Sequence, residues 1–168
     1  MNVSELMTAT VKSCAIDECL DRAARIMWEN DCGCIPVVDH DQRVVGMITD
    51  RDICMAAYTQ GKALAEMQVS SAMAREVFGA RESDPVEVAE ALMREKQVHR
   101  LPVLDGDGHV RGILSMNDLA RRVVPGKGHK ANGLSRDSVA LTLAAISKPR
   151  GVEVAPAQSR SIRSQSGV

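Results

Sequence analysis

The sequence predicts an α/β (α+β) fold in which two tandem copies of one small unit are followed by a short helix and a flexible tail. Three observations support this prediction. The chain of 168 residues repeats itself at a fixed offset, each copy carries the same order of helix and strand signals, and both patterns stop after Pro125. Two strands and two helices in about 50 residues cannot bury both faces of a small sheet, so we expect the two units to pack against each other.

The internal repeat has an offset of 66 residues and needs no gap. Residues 3–56 align with residues 69–122, and 14 of the 54 pairs are identical. Ordinary residue usage would give about three or four identities. A repeat of this kind indicates one supersecondary unit built twice. The identical pairs include Val3/Val69, Met7/Met73, Val11/Val77, Met27/Met93, Pro36/Pro102, Asp39/Asp105, Gly46/Gly112 and Asp52/Asp118.

Each unit opens with a predicted helix. Asp17 and Ser83 are good N-cap residues, and apolar residues follow each of them at helical spacing. These apolar positions are Leu20, Ala23, Ala24 and Met27 in the first unit, and Val86, Ala89 and Met93 in the second.

Two strands and a closing helix complete each unit. The strands are separated by a short turn whose Gly and Asp residues are turn formers. The predicted strands are Ile35–Asp39 and Val44–Ile48 in the first unit, and Leu101–Asp105 and Val110–Leu114 in the second; the closing helices begin near Arg51 and Asn117.

These patterns divide the chain into four parts. We expect a first domain over residues 1–60, a linker over 61–68, a second domain over 69–125, and an extension over 126–168. Within the extension, helical spacing of apolar residues predicts one helix over residues 135–146. From Gly151 onward the chain is rich in Ser, Arg and Gln, which is typical of an unstructured end.

Composition bears on the partners that the protein can have. No apolar stretch reaches the length of about 18 residues that a membrane span needs, and Glu5 stands where a signal peptide would be basic. We therefore expect a cytoplasmic protein with no membrane partner. The 21 basic and 22 acidic residues give a net charge of −1, and the chain has one Trp, one Tyr and one Phe. Neither property favours binding to nucleic acid, where a basic surface or stacked rings would be expected.

Five cysteines invite a thiol-enzyme or metal-site interpretation, which we consider weaker. They form an odd set confined to the first third of the chain, as expected for free thiols in a reducing compartment. None of them has a cysteine counterpart in the second unit, so the repeated architecture does not need them. No two are separated by two residues, as the commonest zinc and redox pairs are. The five are Cys14, Cys19, Cys32, Cys34 and Cys54.

Two segments that recur in both units resemble the signature of the CBS (cystathionine-beta-synthase) domain. The segments are 33–39 with 46–52, and 101–105 with 112–118. Two such domains in tandem resemble a CBS pair, or Bateman module, over about residues 1–125. This resemblance implies two βαββα-like units related by a pseudo-two-fold axis and frequent dimerisation, so we expect a homodimer. It also implies clefts that bind AMP, ADP, ATP or a related adenosyl ligand, with S-adenosylmethionine and NAD less favoured.

The resemblance assigns a binding role to a hydroxyl and a carboxylate in each unit. It implies that Thr49 and Ser115 meet the phosphate of the ligand, and that Asp52 and Asp118 accept hydrogen bonds from the ribose hydroxyls. The chemistry is reasonable because each hydroxyl lies where a strand gives way to a helix, beside free N–H groups and the positive end of the helix dipole. The same residues are also close variants of a helix capping box, so capping alone is an alternative interpretation.

The walls of the cleft and its phosphate partners are further candidates. The resemblance implies that the first strand after the opening helix lies against adenine, and Val11 and Val77, in the first strand of each unit, are candidates for the opposite wall. Ordinary core packing is the alternative for the strand residues. Where the first unit has Gly33 and Cys34, the second has His99 and Arg100, which would narrow the cleft, tilt the chain or neutralise a phosphate. The strand candidates are Ile35, Pro36, Val37, Leu101, Pro102 and Val103; the cationic candidates are Arg51 and Arg100.

The sequence therefore favours a regulatory sensor without catalytic activity. No phosphate-binding GxxxxGK loop, GxSxG elbow or HExxH motif is present. We expect the adenine nucleotide to act as a regulatory ligand and its occupancy to be passed to a downstream protein. The alternative is an adaptor that docks nucleic acid or a protein through the basic extension, with the two units purely structural. From Gly126 onward the chain has seven basic and two acidic residues, a net charge of +5.

Overall fold

The computed structural model describes residues 1–123 and 134–149, and it has the mixed architecture that the sequence predicts. The start of the predicted extension, residues 126–133, and its predicted unstructured end from Gly151 lie outside the described residues. The first unit contains β1 (Cys14–Ala15), α1 (Leu20–Glu29), β2 (Cys34–Val38), β3 (Val44–Thr49) and α2 (Asp50–Gln60). The second contains α3 (Val86–Lys96), β4 (Arg100–Leu104), β5 (Val110–Ser115) and α4 (Met116–Arg122), followed by α5 (Arg136–Ile146).

The two small sheets have the same topology and register. In the first unit β1 is parallel to β2, and β2 is antiparallel to β3. In the second, Ala80 makes a single parallel bridge to β4, and β4 is antiparallel to β5. The antiparallel pairs begin at Cys34↔Thr49 and Arg100↔Ser115, and both registers shift after the fourth pair. The units are therefore copies of one backbone down to the position of the irregularity.

Each sheet is completed by a segment that belongs, in sequence, to the other unit. Residues 1–8 lead into the first unit, yet the backbone of Thr8 pairs with Ile113 on β5. Residues 67–74 lead into the second unit, yet Ala74 pairs with Met47 on β3. Val3 is buried in the core of the second unit and Val69 in the core of the first. The two lead-in segments, 1–8 and 67–74, are thus exchanged between the units.

The exchange explains why glycine recurs at Gly46 and Gly112. A Cβ atom at Gly46 would lie 2.7 Å from the Sδ atom of Met73 and 2.8 Å from the carbonyl oxygen of Ala74. A Cβ atom at Gly112 would lie 2.6 Å from the Sδ atom of Met7 and 3.0 Å from the carbonyl oxygen of Thr8. Each exchanged segment can approach its strand only because the side chain is absent.

The predicted N-caps of the opening helices, Asp17 and Ser83, are wrong. The helices begin two residues later, after Cys19 and Pro85, and neither has a side-chain cap. The first helical N–H groups are satisfied by the exchanged segments, because Leu20 donates to the carbonyl of Met67 at 2.8 Å and Val86 to that of Met1 at 3.1 Å. These backbone acceptors come from distant sequence, so local capping rules could not identify them.

The placement of Val11 and Val77 in first strands is also wrong. The first unit's opening strand is only Cys14–Ala15, and in the second unit a single bridge at Ala80 takes its place. Both valines precede these positions, in irregular stretches through which the chain passes from one unit to the other after each exchanged segment. Pairing with the unit's own strand, β2 or β4, and not β-propensity, decides where the strand begins.

The units meet around a local two-fold axis. Arg43 pairs with His109, which is its own counterpart 66 residues later, and the N–H of Val44 donates to the carbonyl of Gly108 at 2.9 Å. Two units related by a two-fold axis bring a residue into contact with its own counterpart at that axis. We call this boundary between the units the seam.

The core is divided into two clusters, one in each unit, and α5 belongs to the second. Helix α5 packs on α3 and α4 and buries Val139 and Ile146 there, while Leu134 just before it is buried in the same cluster. It begins after Ser135, whose hydroxyl accepts a hydrogen bond from the N–H of Ser138 at 3.0 Å. Within the described parts of the chain, no helix is long and apolar enough to cross a membrane.

Candidate functional site

A strand-to-helix corner in the first unit joins a hydroxyl and a carboxylate. Thr49 ends β3 and is the N-cap of α2, so its hydroxyl accepts from the N–H of Asp52 at 3.1 Å. The Oδ2 atom of Asp52 in turn accepts from the Thr49 N–H at 2.9 Å and from the Thr49 hydroxyl at 2.7 Å. The capping-box interpretation therefore describes the contacts of this corner.

The second unit has the same corner with one additional charge. Ser115 caps α4, its hydroxyl accepts from the N–H of Asp118 at 3.4 Å, and the Oδ2 atom of Asp118 accepts from the Ser115 N–H at 2.8 Å. The Oδ1 atom of Asp118 also forms an ion pair with the guanidinium of Arg121. Asp118 is 8% exposed, so this carboxylate is buried and already neutralised.

The carboxylates of Asp52 and Asp118 consequently differ in their remaining capacity to accept hydrogen bonds from a ligand. Among the described residues, the Oδ1 atom of Asp52 accepts no hydrogen bond, and the counterpart of Arg121 is Met55. Asp52 is half-buried at the first turn of its helix. A ligand hydroxyl can reach Asp52 without displacing a cation, whereas at Asp118 it must share the carboxylate with Arg121.

The candidate wall residues on β2 and β4 lie on two different faces of their strands. Side chains alternate across a strand, and Ile35 and Val37 belong to the first core cluster while Leu101 and Val103 belong to the second. These four side chains pack within their own units. Pro36 and Pro102 are buried on the opposite face of their strands, where no core cluster includes them. If the strands form a wall, these prolines and the strand backbone are the parts that face outward from each core.

The structure brings Arg100 of the second unit to the first unit. Arg100 is the counterpart of Cys34, and its guanidinium lies close enough to the Cys34 thiol to lower the pKa of that thiol. Burial raises the pKa of Cys34 to about 11, and Arg100 opposes this rise while the nearby carboxylate of Asp52 adds to it. Arg100 and Asp52 therefore lie around one thiol at the seam. Arg51 is exposed at the start of α2.

Replacing Gly33 and Cys34 by His99 and Arg100 does not tilt the chain. The N–H of Asp50 donates to the carbonyl of Gly33 at 3.2 Å, and the N–H of Met116 donates to that of His99 at 2.9 Å. The larger side chains are accommodated because His99 is exposed and because Arg100 extends toward the seam.

The environment of two cysteines opposes a thiol-based site. Burial raises the pKa of Cys14 to about 12, with the charge of Glu18 adding to the effect. Cys34 is likewise held as the neutral thiol. The thiolate is the nucleophile and the metal ligand, so neither residue is prepared for that chemistry near neutral pH.

One cluster of possible metal ligands was not singled out from the sequence. Asp105, Asp107 and His109 bring one ligand atom each within 4.8 Å of one another in the turn between β4 and β5. The Oδ1 atom of Asp105 already accepts from the N–H groups of Asp107 and His109, at 3.0 and 2.9 Å. These bonds close the turn, and the backbone contact with His109 lowers the pKa of Asp105.

A family model describes both units. The model of the CBS domain matches residues 3–58 and again residues 69–125. The chain belongs to the CBS-domain family. Its two units are a tandem pair of CBS domains, with the exchanged lead-in segments and the α5 extension described above.

Curated relatives include both small CBS proteins and enzymes. The CBS domain-containing protein YhcV of Bacillus subtilis is 34% identical over 119 residues, which are 71% of this chain and 83% of that protein. A homoserine O-acetyltransferase of Methanohalobium evestigatum is 31% identical over 121 residues, which are 72% of this chain and 24% of the enzyme. In the enzyme the match covers only about a quarter of the length.

Solved structures share the fold. The CBS domain pair of protein MJ0100, in complex with 5′-methylthioadenosine and S-adenosyl-L-methionine, has a TM-score of 0.66 at 25% identity and covers 73% of this chain and 94% of that chain. TA0289 of Thermoplasma acidophilum has a TM-score of 0.72 at 24% identity, covering 93% of this chain and 82% of that chain. Hypoxic Response Protein I, with two coordinated zinc ions, has a TM-score of 0.66 at 27% identity, covering 74% of this chain and 100% of that chain.

Proposed function

We propose that this CBS pair is a regulatory module that binds an adenine nucleotide at the seam and performs no chemistry itself. The observation that carries the proposal is the first corner, where Asp52 keeps a carboxylate oxygen without a partner among the described residues, while Arg100 of the other unit acts on Cys34, the same thiol that Asp52 influences. The adenosyl ligands of the MJ0100 pair support the ligand class.

The corner supplies complementary groups for a nucleotide. A carboxylate can accept hydrogen bonds from both hydroxyls of a ribose, which a 2′-deoxy sugar cannot reproduce, and such charge-assisted bonds are about twice as strong as neutral ones. The hydroxyl of Thr49 and the N-terminal end of α2 favour an anionic group, since the helix dipole is positive there. A phosphate placed between this helix end and Arg100 would be neutralised from both units, and Arg51 would add a positive charge from the first unit.

Adenine would lie between parts of the chain that cross the seam. Val11 and Val77 lie where the chain passes between the units, and Pro36 and Pro102 present the strand faces that the cores do not use. In the proposed arrangement these apolar groups hold the base, and backbone groups of the strands read its edge. The nearby arginines favour AMP, ADP or ATP over S-adenosylmethionine, which carries no phosphate.

Occupancy of the seam would be the regulatory signal. A ligand that touches Asp52 on one unit and Arg100 on the other stabilises one relative position of the two units, because only that position satisfies both contacts. The surface offered to a downstream protein then changes. We propose that the module acts in the cytoplasm as a homodimer.

Calorimetric titration of the full chain with AMP and ATP tests the proposal. Asp52→Ala removes charge-assisted hydrogen bonds, and we expect the affinity to fall by about ten- to a hundredfold. Glu87→Ala is the matched control, since it removes another carboxylate from the first turn of a helix, on α3. Unchanged binding of both nucleotides in Asp52→Ala and in Asp118→Ala would refute the site, and 2′-deoxy-AMP binding as tightly as AMP would refute the ribose contact.

A further inference from the structure

Helix α5 shows what covers the helical face of a unit. It packs across α3 and α4, where its Thr142 hydroxyl donates to the Oε1 atom of Glu90 at 3.2 Å and accepts from the guanidinium of Arg94 at 2.7 Å. The side-chain amide of Gln97 donates to the carbonyl of Ala145 at 3.3 Å. The second unit therefore carries a helix across the face formed by its own two helices.

Within residues 1–123 and 134–149, no α-helix packs across the same face of the first unit as α5 does on the second. Helices α1 and α2 form a groove of about 380 Å³, which we call the α1/α2 groove. The groove is lined at the positions that hold α5 in the second unit, because Ala24, Trp28 and Asp31 are the counterparts of Glu90, Arg94 and Gln97. Ala24 and Trp28 supply apolar surface where the second unit has the ionisable residues Glu90 and Arg94. The groove therefore fits a helix whose contacting face is apolar.

Trp28 makes this face of the first unit unusual. Its side chain is 88% exposed although it is the only tryptophan of the chain. Tyr58 and Met55 on α2 are also exposed. Aromatic rings of this kind bury about 150–250 Å² each when they are covered, and they are enriched among the residues that carry most of the energy of an interface.

The outer face of α5 is apolar beyond its first turn, where Arg136 and Asp137 are exposed. Leu141 is 67% exposed and Leu143 is 50% exposed, and Ala140 and Ala144 are exposed one turn apart from each other. At 100° per residue the alanines lie at the centre of the outward face and the leucines on its two sides. Small residues flanked by larger ones leave a depression that fits a protruding ring.

We propose that the outer face of α5 lies in the α1/α2 groove of a second copy of this chain. The inference rests on the homodimer of the proposed function and names its surfaces. Trp28 of each protomer inserts between the leucines on the partner's α5. One groove and one outward α5 face are present on each protomer, so two identical contacts form around a two-fold axis and both apolar faces are covered.

Charge supports this occupant. Asp31 and Asp50 line the groove, and their carboxylates are exposed. Helix α5 and its C-terminal flank carry the exposed basic residues Arg136 and Lys148 against one exposed acidic residue, Asp137. A contact between two α1/α2 grooves would instead bring the acidic pair of one protomer toward that of the other, which is unfavourable.

The oligomeric state of the full chain, measured by sedimentation over a concentration series, tests the proposal with variants on each surface. We expect the wild-type protein to dimerise with a blue shift of Trp28 fluorescence. Trp28→Arg and the double variant L141E/L143E should each weaken dimerisation at least about tenfold. Val88→Glu is the matched control, because Val88 is 54% exposed on the side of α3 away from α5 and should leave the dimer intact.

Mixing the two variants distinguishes the geometry. Trp28→Arg keeps a normal α5, and L141E/L143E keeps a normal groove, so the mixture should form a heterodimer with one intact contact. The blue shift then reports only the groove of L141E/L143E, since the other chain has no tryptophan. Circular dichroism melts confirm that each variant is folded.

Three results would overturn the proposal. If the wild-type protein stays monomeric throughout the series, the α1/α2 groove and the outer face of α5 bind a different partner. A dimer that persists in L141E/L143E but not in Trp28→Arg indicates groove-to-groove contact, and variants that both dimerise place the interface elsewhere. Calorimetry with AMP on the monomeric variants separates this outcome from the proposed function, because the seam lies within one chain and should bind nucleotide in either state.

Discussion

The two CBS domains share a backbone but differ at the positions that face the seam and the outside. Strand register, sheet irregularity and capping contacts recur at an offset of 66 residues. Asp118 is paired with Arg121 and the second unit's helical face is covered by α5, whereas among the described residues Asp52 has no such cation and no helix covers the first unit's face in this way. The repeated residues thus build the scaffold, and the unmatched residues give each unit a separate role.

This comparison separates two consequences of the repeat. Because the lead-in segments are exchanged, neither unit has a complete sheet or core alone, and we expect their stabilities to be coupled. The capping contacts are not coupled in this way, since each corner is built from side chains of its own unit. Four predictions test these consequences, in order of decreasing expected effect.

The largest effect is expected from truncating matched core residues. Ile48 and Leu114 are counterparts with no exposed surface, and changing either to Ala should cost about 2–5 kcal/mol. Denaturant unfolding followed by circular dichroism should show one transition in both variants, because Val3 and Val69 tie each core to the other unit. Two separated transitions would contradict the coupling.

Thiol chemistry should differ strongly between exposed and buried positions. With a pKa of about 11 in place of the ordinary 9.0, Cys34 has about a hundredfold less thiolate at pH 7–9. We expect a thiol reagent to label the exposed Cys54 quickly and Cys14 and Cys34 slowly, as read by mass spectrometry. The labelling of Cys34 should keep rising with pH beyond 9. Rapid labelling of Cys34 at pH 7 would show that it is neither buried nor neutral.

Exchanging the residue beside each carboxylate should change the nucleotide affinities of the two corners in opposite directions. Arg121→Met gives the second corner the side chain of its counterpart Met55, and it should strengthen nucleotide binding there by a few-fold. Met55→Arg places a competing cation near Asp52 and should weaken the first corner by about tenfold. Calorimetry with AMP measures both. Equal affinities in both variants and wild type would show that Arg121 does not decide the difference.

The smallest effect concerns the caps. Thr49→Ala and Ser115→Ala should each reduce the free energy of unfolding by about 1 kcal/mol. The loss should be at least as large for Thr49, whose cap bond of 3.1 Å is shorter than the 3.4 Å bond at Ser115. Thr49→Ser is the control that keeps the hydroxyl. Loss of binding without any loss of stability would separate the ligand role of the hydroxyl from capping.

Much of the fold was predictable because it depends on local periodicity. The repeat, the order of helices and strands, the capping residues Thr49 and Ser115, and the helix after Ser135 all follow from spacing along the chain. The starts of α1 and α3 were not predictable, because their first N–H groups bond to the carbonyls of Met67 and Met1. Those acceptors lie far away in sequence, and no local pattern indicates them.

The candidate site was predictable only as a set of residue types. Spacing identified a capped hydroxyl and a carboxylate at each strand-to-helix corner, and only the resemblance to CBS domains implied a binding role for them. The meeting of Arg100 with Cys34 and Asp52 depends on the two-fold arrangement of the units. The pairing of Asp118 with Arg121 could have been suspected from their separation of one helical turn, which suits an ion pair.

The amino-acid sequence by itself determined that the protein is a repeated α/β unit with a capped hydroxyl and acid in each copy, because periodicity and capping act over a few residues. Only the tertiary structure decided which unit receives each lead-in segment, which carboxylate is already neutralised, and which helical face α5 covers. These features arise where distant segments compete for the same surface, so they are settled by packing and not by local preference.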